Sequence, residues 1–313
     1  REARMEGGEI VNFDKKVEVK AISRIEDFYE DPEFLGSGTY GKVYKYKSVA
    51  DGRDYALKCI PLKGNSAEAI DEGRDIFNLI AHANIVYPVE VLQDEEHRFI
   101  VMELAEGGDL YDKILNAELE DEAAKSKVIK EVASALEHLH KRKIIHLDVK
   151  PENIVFSSLP GDKSEVKLCD FGVSRQLKDG ERLNIYCGTV PYMAPEVIKQ
   201  TNVGTEADMW SLGVVLYRML HQDGNLPFHN EEASKSGQYA PLQLVSPEAA
   251  DLVKGLLEVD PKERLSVEQV LQHPWIMTPG DLFHRPDNDG SLCAIVKKVD
   301  SSSREPATNE ARK

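Results

Sequence analysis

The 313-residue chain carries 39 Lys and Arg against 55 Asp and Glu, a formal net charge of −16, with 41% hydrophobic and 30% charged residues. That balance suits a globular chain of one large domain or two lobes with an ample core, and it argues against a general binder of nucleic acid or acidic membrane surface. It fits a partner segment carrying Lys or Arg, although a solvated acidic surface alone also explains the excess. Four cysteines, Cys59, Cys169, Cys187 and Cys293, show no C-x-x-C pairing and read as free thiols of a reducing compartment. No apolar leader is visible, and the longest apolar stretch, Trp210 to Leu220, is too short for a membrane span and contains Arg218. The expected location is the cytoplasm, with the nucleus as the other option.

Residues 1–27 are mixed and charged and read as an N-terminal extension, with Val17-Glu18-Val19 as either an edge strand or an unstructured stretch. Gly36, Gly38 and Gly41 then form G-x-G-x-x-G, a weak signal alone because dinucleotide-binding loops share it. There the loop opens a helix. Here Val43-Tyr44-Lys45-Tyr46-Lys47 alternates as a strand, Asp51-Gly52 makes a hairpin turn, and Asp54 to Ile60 is the next strand. A helix is predicted from Ser66 through Glu68 and Glu72 to Ile80, with Gly73 about 1 kcal/mol worse than Ala within it. Strands Tyr87–Gln93 and Arg98–Met102 follow, then Gly107-Gly108, which alone reads as a linker. A short helix covers 109–115. A long one runs from Asp121 to about Arg142, where Val128, Val132, Ala135, Leu136 and Leu139 recur at core-facing spacing. His138 and His140 in that helix read as structural, since a lone pair is weak ground for a metal.

Next comes His146-Leu147-Asp148-Val149-Lys150-Pro151-Glu152-Asn153. Ile154-Val155-Phe156 and Val166-Lys167-Leu168-Cys169 read as a hairpin leading to Asp170-Phe171-Gly172. Two carboxylates and a carboxamide thus sit on adjoining loops of one small sheet. That spacing suits phosphoryl transfer. Asp148 would orient a hydroxyl nucleophile, and Asn153 with Asp170 would hold Mg²⁺ on the phosphates of ATP. Lys150 would neutralise charge on the transferred group. Further on, Asp208 to Leu216 reads as a buried helix, Leu226-Pro227-Phe228 as a turn, and Ser246 as the N-cap of another helix. The domain ends near His273-Pro274-Trp275-Ile276. The tail 277–313 is rich in Asp, Ser, Pro, Gly and Lys and reads as partly disordered or regulatory. Asp287-Asn288-Asp289-Gly290 fails as a calcium loop, because Arg285 and Val296 occupy its first and last ligand positions. Leu292 to Val299 is a short basic apolar patch that could pack as a strand, dock on the body of the domain, or bind calmodulin.

The loop at Asp148 and the Asp170-Phe171-Gly172 triplet closely resemble H-R-D-L-x-x-x-N and D-F-G of eukaryotic protein kinases, and the resemblance covers residues 28–276 in family order. It implies an α+β, bilobal fold: a small antiparallel β lobe with one helix at about 28–103, and a larger, mainly α-helical lobe at about 106–276. Lys150 with Asn153 is the serine/threonine form, in which Thr189 tethers Asp148 and Lys150. The His-Leu-Asp loop and the Trp-containing end look most like the calcium/calmodulin-dependent group, near death-associated, myosin-light-chain and titin-like kinases.

By this resemblance Gly36, Ser37, Gly38, Thr39, Tyr40 and Gly41 fold over ATP. Leu35, Val43 and Ala56 would enclose the adenine, with Met102 behind it and the backbone of Glu103 and Ala105 at its edge, and Val155 is a further nucleotide-binding residue. Lys58 meets the α- and β-phosphates, and Asp109 reaches the ribose or a basic substrate residue. Glu152 receives a basic substrate side chain, and Cys169 lines the pocket. Glu196 of Ala194-Pro195-Glu196 pairs with Arg264, and Asp208 braces the catalytic loop. The family's helix glutamate falls on Gly73, which makes Glu72 the expected partner of Lys58. Leu147 replaces the arginine that clasps a phosphorylated residue, and Ile185 stands at the usual acceptor position; with both halves missing, the segment is expected to be ordered without that phosphate. The function implied is transfer of the ATP γ-phosphate to a Ser or Thr hydroxyl of a protein substrate with nearby basic residues. The alternative is a pseudokinase or scaffold, for which Gly73 is the argument.

Overall fold

The computed structural model describes residues 2–4, 10–12, 18–38, 41–63, 76, 79–119, 121–157, 164–221 and 223–277. Both lobes lie within the first of the chain's two units, Arg1–Met277. Strands β1 (Glu2–Arg4) and β2 (Ile10–Asn12) pair antiparallel with each other. A six-stranded sheet then collects β3 (Val19–Ala21), β4 (Tyr29–Gly38), β5 (Gly41–Ser48), β6 (Asp54–Pro61), β7 (Pro88–Gln93) and β8 (His97–Glu103). Their order is β3-β7-β8-β6-β5-β4, antiparallel throughout except for β3 on β7.

Strand alternation sends neighbouring side chains to opposite faces. Ala56 and Lys58 therefore face the cleft. Leu57, Phe99 and Val101 face the other way and join Leu92, Tyr29 and Ile25 in a small separate core. Residues 19–27, read from sequence as part of an extension, belong to this lobe. Val19–Ala21 adds the edge strand, and a 3-10 turn at Ile25–Asp27 lays buried Ile25 on the sheet, flanked by Ile22 and Phe28. The physical reason is the apolar outer face, which burial removes from water. At the other edge, Pro32 sits between Glu30 and Glu33 where the β4–β5 register shifts, with Asp31 at φ 55°. An edge bulge is where a strand tolerates proline. The helix expected over 66–80 lies outside the described residues except near its end, where Ile76 is helical and buried and Ile80 is buried.

The second lobe is built on capped helices. Asp109 accepts from the Asp112 amide at 2.9 Å and opens α1 (Leu110–Leu115). Asp121 accepts from the Ala124 amide at 2.7 Å and opens α2 (Glu122–His140), whose predicted stripe from Val128 to Leu139 is buried. β9 (Ile144–Ile145), β10 (Ile154–Phe156), β11 (Val166–Leu168) and β12 (Arg175–Gln176) form two antiparallel pairs: the expected hairpin β10–β11, and β9–β12, which the sequence did not reveal. After them come α3 (Pro195–Ile198), α4 (Glu206–Leu220), α5 (Glu231–Ser236), α6 (Pro247–Leu256) and α7 (Val267–Leu271). Helix α4 is buried on all sides from Ala207 to Leu220, and α6 opens on the expected Ser246 cap. Phe228, expected only to lie in a turn, is fully buried and stacks on Trp210 with ring centroids 5.1 Å apart. No helix among the described residues is long and apolar enough to cross a membrane.

Candidate active site

Three segments of the larger lobe converge beneath the sheet: the loop 146–153, the triplet 170–172, and the stretch around Thr189. The loop is fixed from below by Asp208 near the start of α4. Its fully buried carboxylate accepts from the amides of His146 (2.9 Å) and Leu147 (2.8 Å) and contacts His140 Nε2 at 2.9 Å. Leu147 is thereby held at φ 67°, a left-handed conformation that a branched side chain adopts only under such constraint. The expected bracing by Asp208 and the structural reading of His140 are both borne out. His138 stacks near His82 with centroids 4.9 Å apart, and no group of three or more His, Cys, Asp or Glu suited to a metal exists among the described residues.

His146, which the sequence reading left without a role, orients the loop. Its Nε2 lies 3.0 Å from the Cys169 carbonyl and its Nδ1 accepts from the Asp148 amide at 3.2 Å, so the proton belongs on Nε2. Its ring meets Phe171 edge-on at 4.9 Å, which packs that side chain inward.

Asp148, 5% exposed, sits at the centre. Its Oδ1 accepts from the Thr189 hydroxyl at 2.7 Å. Its Oδ2 faces Lys150 Nζ at 2.8 Å and Asn153 Nδ2 at 3.1 Å. Lys150 Nζ also donates to Thr189 Oγ1 at 2.9 Å, and Asn153 Nδ2 to the Asp148 carbonyl at 2.8 Å. A carboxylate offers about four acceptor positions, and three are filled here, which leaves one on Oδ1. Gly188, at φ 98°, lies where a Cβ would run into the Leu147 carbonyl, so only glycine lets Thr189 come this close.

Across the cleft Lys58, 6% exposed, donates to Asp170 Oδ1 at 2.6 Å, and the Gly172 amide donates to the same oxygen at 3.2 Å. Burial pushes the Asp170 carboxyl up, but the attraction of the Lys58 ammonium and these hydrogen bonds outweigh it and hold it below the usual carboxylate range. A Cβ on Gly38 would stand 2.8 Å from Asp170 Oδ2 and 3.8 Å from Lys58 Nζ, so the glycine-rich hairpin reaches down onto this pair. Gly41 serves differently: a Cβ there would collide with the Cys59 carbonyl on β6.

A cavity of about 570 Å³ opens between the lobes. Leu35, Gly36, Ser37, Gly38, Val43, Ala56, Lys58, Met102, Glu103, Ala105, Asp109, Lys150, Glu152, Asn153, Val155, Cys169 and Asp170 all line it, together with Val86, Leu104, Gly108 and Phe171, which the sequence reading did not assign to the pocket. Asp148 and Thr189 stand just behind this lining. Thr39, Tyr40 and Glu72 lie outside the described residues. The carboxylate of Glu103 accepts from the Tyr87 amide at 3.0 Å and pairs with Lys167 at 3.2 Å, so its backbone is what remains for a ligand. Asp109 likewise uses one carboxylate oxygen as the cap of α1. Burial and the neighbouring Asp170 charge push the Cys169 thiol up to about 12, which makes it a neutral wall rather than a reactive thiolate.

With the amide nitrogen of Asn153 turned to Asp148, its oxygen is the atom left over. An amide oxygen and the ionised Asp170 carboxylate are the hard donors that a hydrated Mg²⁺ takes, so the residues present fit such an ion.

A model of the protein kinase domain matches residues 29–276. The chain is 34% identical over 291 residues to calcium/calmodulin-dependent protein kinase type 1B of Mus musculus, an alignment covering 89% of this chain and 83% of that protein. It is 33% identical over 300 residues to serine/threonine-protein kinase cds1 of Schizosaccharomyces pombe, covering 88% of this chain and 64% of the relative. To probable serine/threonine-protein kinase pXi of Dictyostelium discoideum it is 35% identical over 261 residues, 81% of this chain and 36% of the relative. The chain thus spans only about a third to two thirds of the length of the latter two.

Proposed function

The chain belongs to the protein kinase family, as a serine/threonine-type member of the calcium/calmodulin-dependent group, and from that premise we propose that it transfers the γ-phosphate of ATP to a Ser or Thr hydroxyl of a protein substrate. The observation that carries this reading is the converged set at Asp148, with one acceptor position on Oδ1 still open. An incoming hydroxyl donates there, is aimed along one direction, and passes its proton to the carboxylate as its oxygen bonds to the γ-phosphorus and the bond from that phosphorus to the bridging oxygen breaks, releasing ADP. Lys150 has three N–H donors, and its contacts with Asp148 and Thr189 leave one for the transferred phosphoryl oxygens. Lys58 is placed for the phosphates nearer the nucleoside. Asn153 and Asp170 would hold Mg²⁺, which supplies charge neutralisation on the phosphates when bound.

The reading extends to activation. Leu147 is buried and Ile185 packs against the main core, so both positions that would carry the arginine and the phosphate hold packed apolar side chains instead. β12 on β9 and the hydrogen bond from the Leu177 amide to the Lys143 carbonyl at 2.8 Å pin the start of the segment. Enzyme treated with phosphatase is therefore expected to keep its rate. Glu152 at the cavity and the net acidity support a substrate with basic residues near the acceptor. The described cysteines are free thiols, which supports a reducing compartment such as the cytoplasm. Calmodulin in one relative's name makes Leu292 to Val299, outside the described residues, the stretch to test for calmodulin binding.

The test is radiolabel transfer from ATP to a basic serine peptide, comparing the intact chain with Asp148→Asn. The substitution is expected to lower transfer by about 10²–10⁴-fold with ATP binding retained. Equal labelling by both proteins would sink the enzyme reading in favour of a scaffold.

A further inference from the structure

We infer that the ion pair between Arg182 and Glu206 is the clamp that holds the peptide-receiving segment in place, with Glu206 the shared anchor of both its ends. The inference rests on the reading above that this segment is ordered without a phosphate, and it names what does the holding. Arg182 and Glu206 touch no reacting atom, so they are positioning residues.

Exposed ion pairs ordinarily contribute little. With side chains 42% and 30% exposed, this one needs more than proximity to matter. It has four supports. The pairing is bidentate, Nη1 to Oε2 at 2.6 Å and Nη2 to Oε1 at 2.9 Å, the geometry in which a guanidinium fixes direction as well as charge. The guanidinium lies across the bare backbone of Gly204, where a Cβ would stand 2.7 Å from Cζ and closer still to Nη1. Alongside it Leu183 and Val203 exchange both backbone hydrogen bonds, at 3.0 and 2.9 Å, and the Asn202 amide donates to Asn184 Oδ1 at 3.2 Å. Finally, the backbone carbonyl of Glu206 accepts from Arg264 Nη1 at 2.7 Å, and that same guanidinium grips Glu196 at 2.7 and 3.0 Å.

The connection is therefore continuous: Arg182 to the carboxylate of Glu206, Glu206 through its carbonyl to Arg264, and Arg264 to Glu196. One residue at the start of α4 ties down the segment at Arg182 and, through Arg264, at Glu196. Thr189, whose hydroxyl orients Asp148, lies in the stretch between. The same helix also carries Asp208, which holds the loop of Asp148 from below. Loosening the clamp lets Thr189 leave Asp148 without disturbing Lys58 or Asp170.

The experiment uses the full chain, shown by mass spectrometry to carry no phosphate on residues 173–196, and compares Arg182→Ala with Gly204→Ala. The first removes the guanidinium. The second leaves every charge intact and evicts the guanidinium by volume; Gly204 is not in the left-handed region, so alanine adds no backbone strain. Both are expected to lower kcat on the peptide about tenfold, as when the competent arrangement falls to about a tenth of molecules, with KM for ATP unchanged. The double variant is expected to be no worse than either single one, because both lesions break one contact. Arg182→Lys should recover part of the loss, and hydrogen exchange should show the amides of 183–188 losing protection in step with kcat. If Gly204→Ala does not fold, Glu206→Gln replaces it in the cycle. Unchanged kcat per folded molecule in Arg182→Ala, or losses that simply multiply in the double variant, would overturn the clamp. An inactive phosphate-free wild-type protein that gains activity once residues 173–196 are phosphorylated would instead overturn the reading on which the clamp rests, so the two failures are told apart.

Discussion

The two halves of the site are built on different principles. On the acceptor side, Asp148, Lys150, Asn153 and Thr189 hold one another through interlocking contacts of 2.7–3.1 Å, above an Asp208 that fixes the loop backbone. On the nucleotide side, the described residues give Lys58 and Asp170 one short contact at 2.6 Å, spanning two lobes. The first arrangement is preorganised, because removing any one member leaves the others partnered. The second is exchangeable: phosphates and a cation offer Lys58 and Asp170 equivalent partners. On the proposed function, the hydroxyl-orienting group would be held rigid while the nucleotide grip exchanges its partners.

That contrast can be broken at the rigid side through Asp208→Ala. The substitution strands the buried amides of His146 and Leu147 without an acceptor. A loss of about 2–5 kcal/mol in unfolding free energy is expected, with transfer activity lost in the folded fraction. Chemical denaturation alongside the peptide assay checks it; a stability change near zero would show that the loop is not held from below.

At the exchangeable side, Lys58→Met is expected to raise KM for ATP at least about tenfold, the loss of a charge-assisted contact, while the melting temperature moves little. Without the ammonium, burial dominates at Asp170 and its carboxyl rises. A large drop in melting temperature would show instead that the pair is a structural strut.

The smallest effect sharpens the comparison by touching neither side. Burial, together with the positive charge of Arg142, pushes the His138 imidazole down to about 4. The unfolded chain takes up that proton near the ordinary histidine value of about 6.5, and the folded chain does not until about 4. Stability contributed by neutral His138 is thus present above about pH 6.5 and declines as pH falls toward 4. His138→Leu should flatten the slope of stability against pH in that window, read by denaturant titration at several pH values, without altering the kinetics at neutral pH.

Much of this was legible because the chemistry is contiguous. Asp148, Lys150 and Asn153 share one loop, and the caps at Asp121 and Ser246 precede their helices by the spacing that capping requires. What the sequence concealed is held by contacts distant along the chain. His146 looks like any loop histidine until its two ring nitrogens meet Cys169 and Asp148. Phe228 sits beside a proline in an apparent turn, and only the fold brings it onto Trp210. Arg182 and Glu206 are ordinary charged residues that only the fold brings together over the bare backbone of Gly204. The segment 19–27 looked like an extension because its apolar positions have no partner nearby in the chain; their partners, Leu57, Leu92 and Phe99, come from three later strands.

The ribbon of residues laid over the back of the sheet carries a practical consequence. A shortened protein begun at residue 29, where the family match starts, would strip Ile22, Ile25 and Phe28 from Leu57, Leu92, Phe99 and Val101. Bared oily surface of that kind drives molecules to stick to one another. A truncation meant to stay monodisperse must therefore retain Val19 onward.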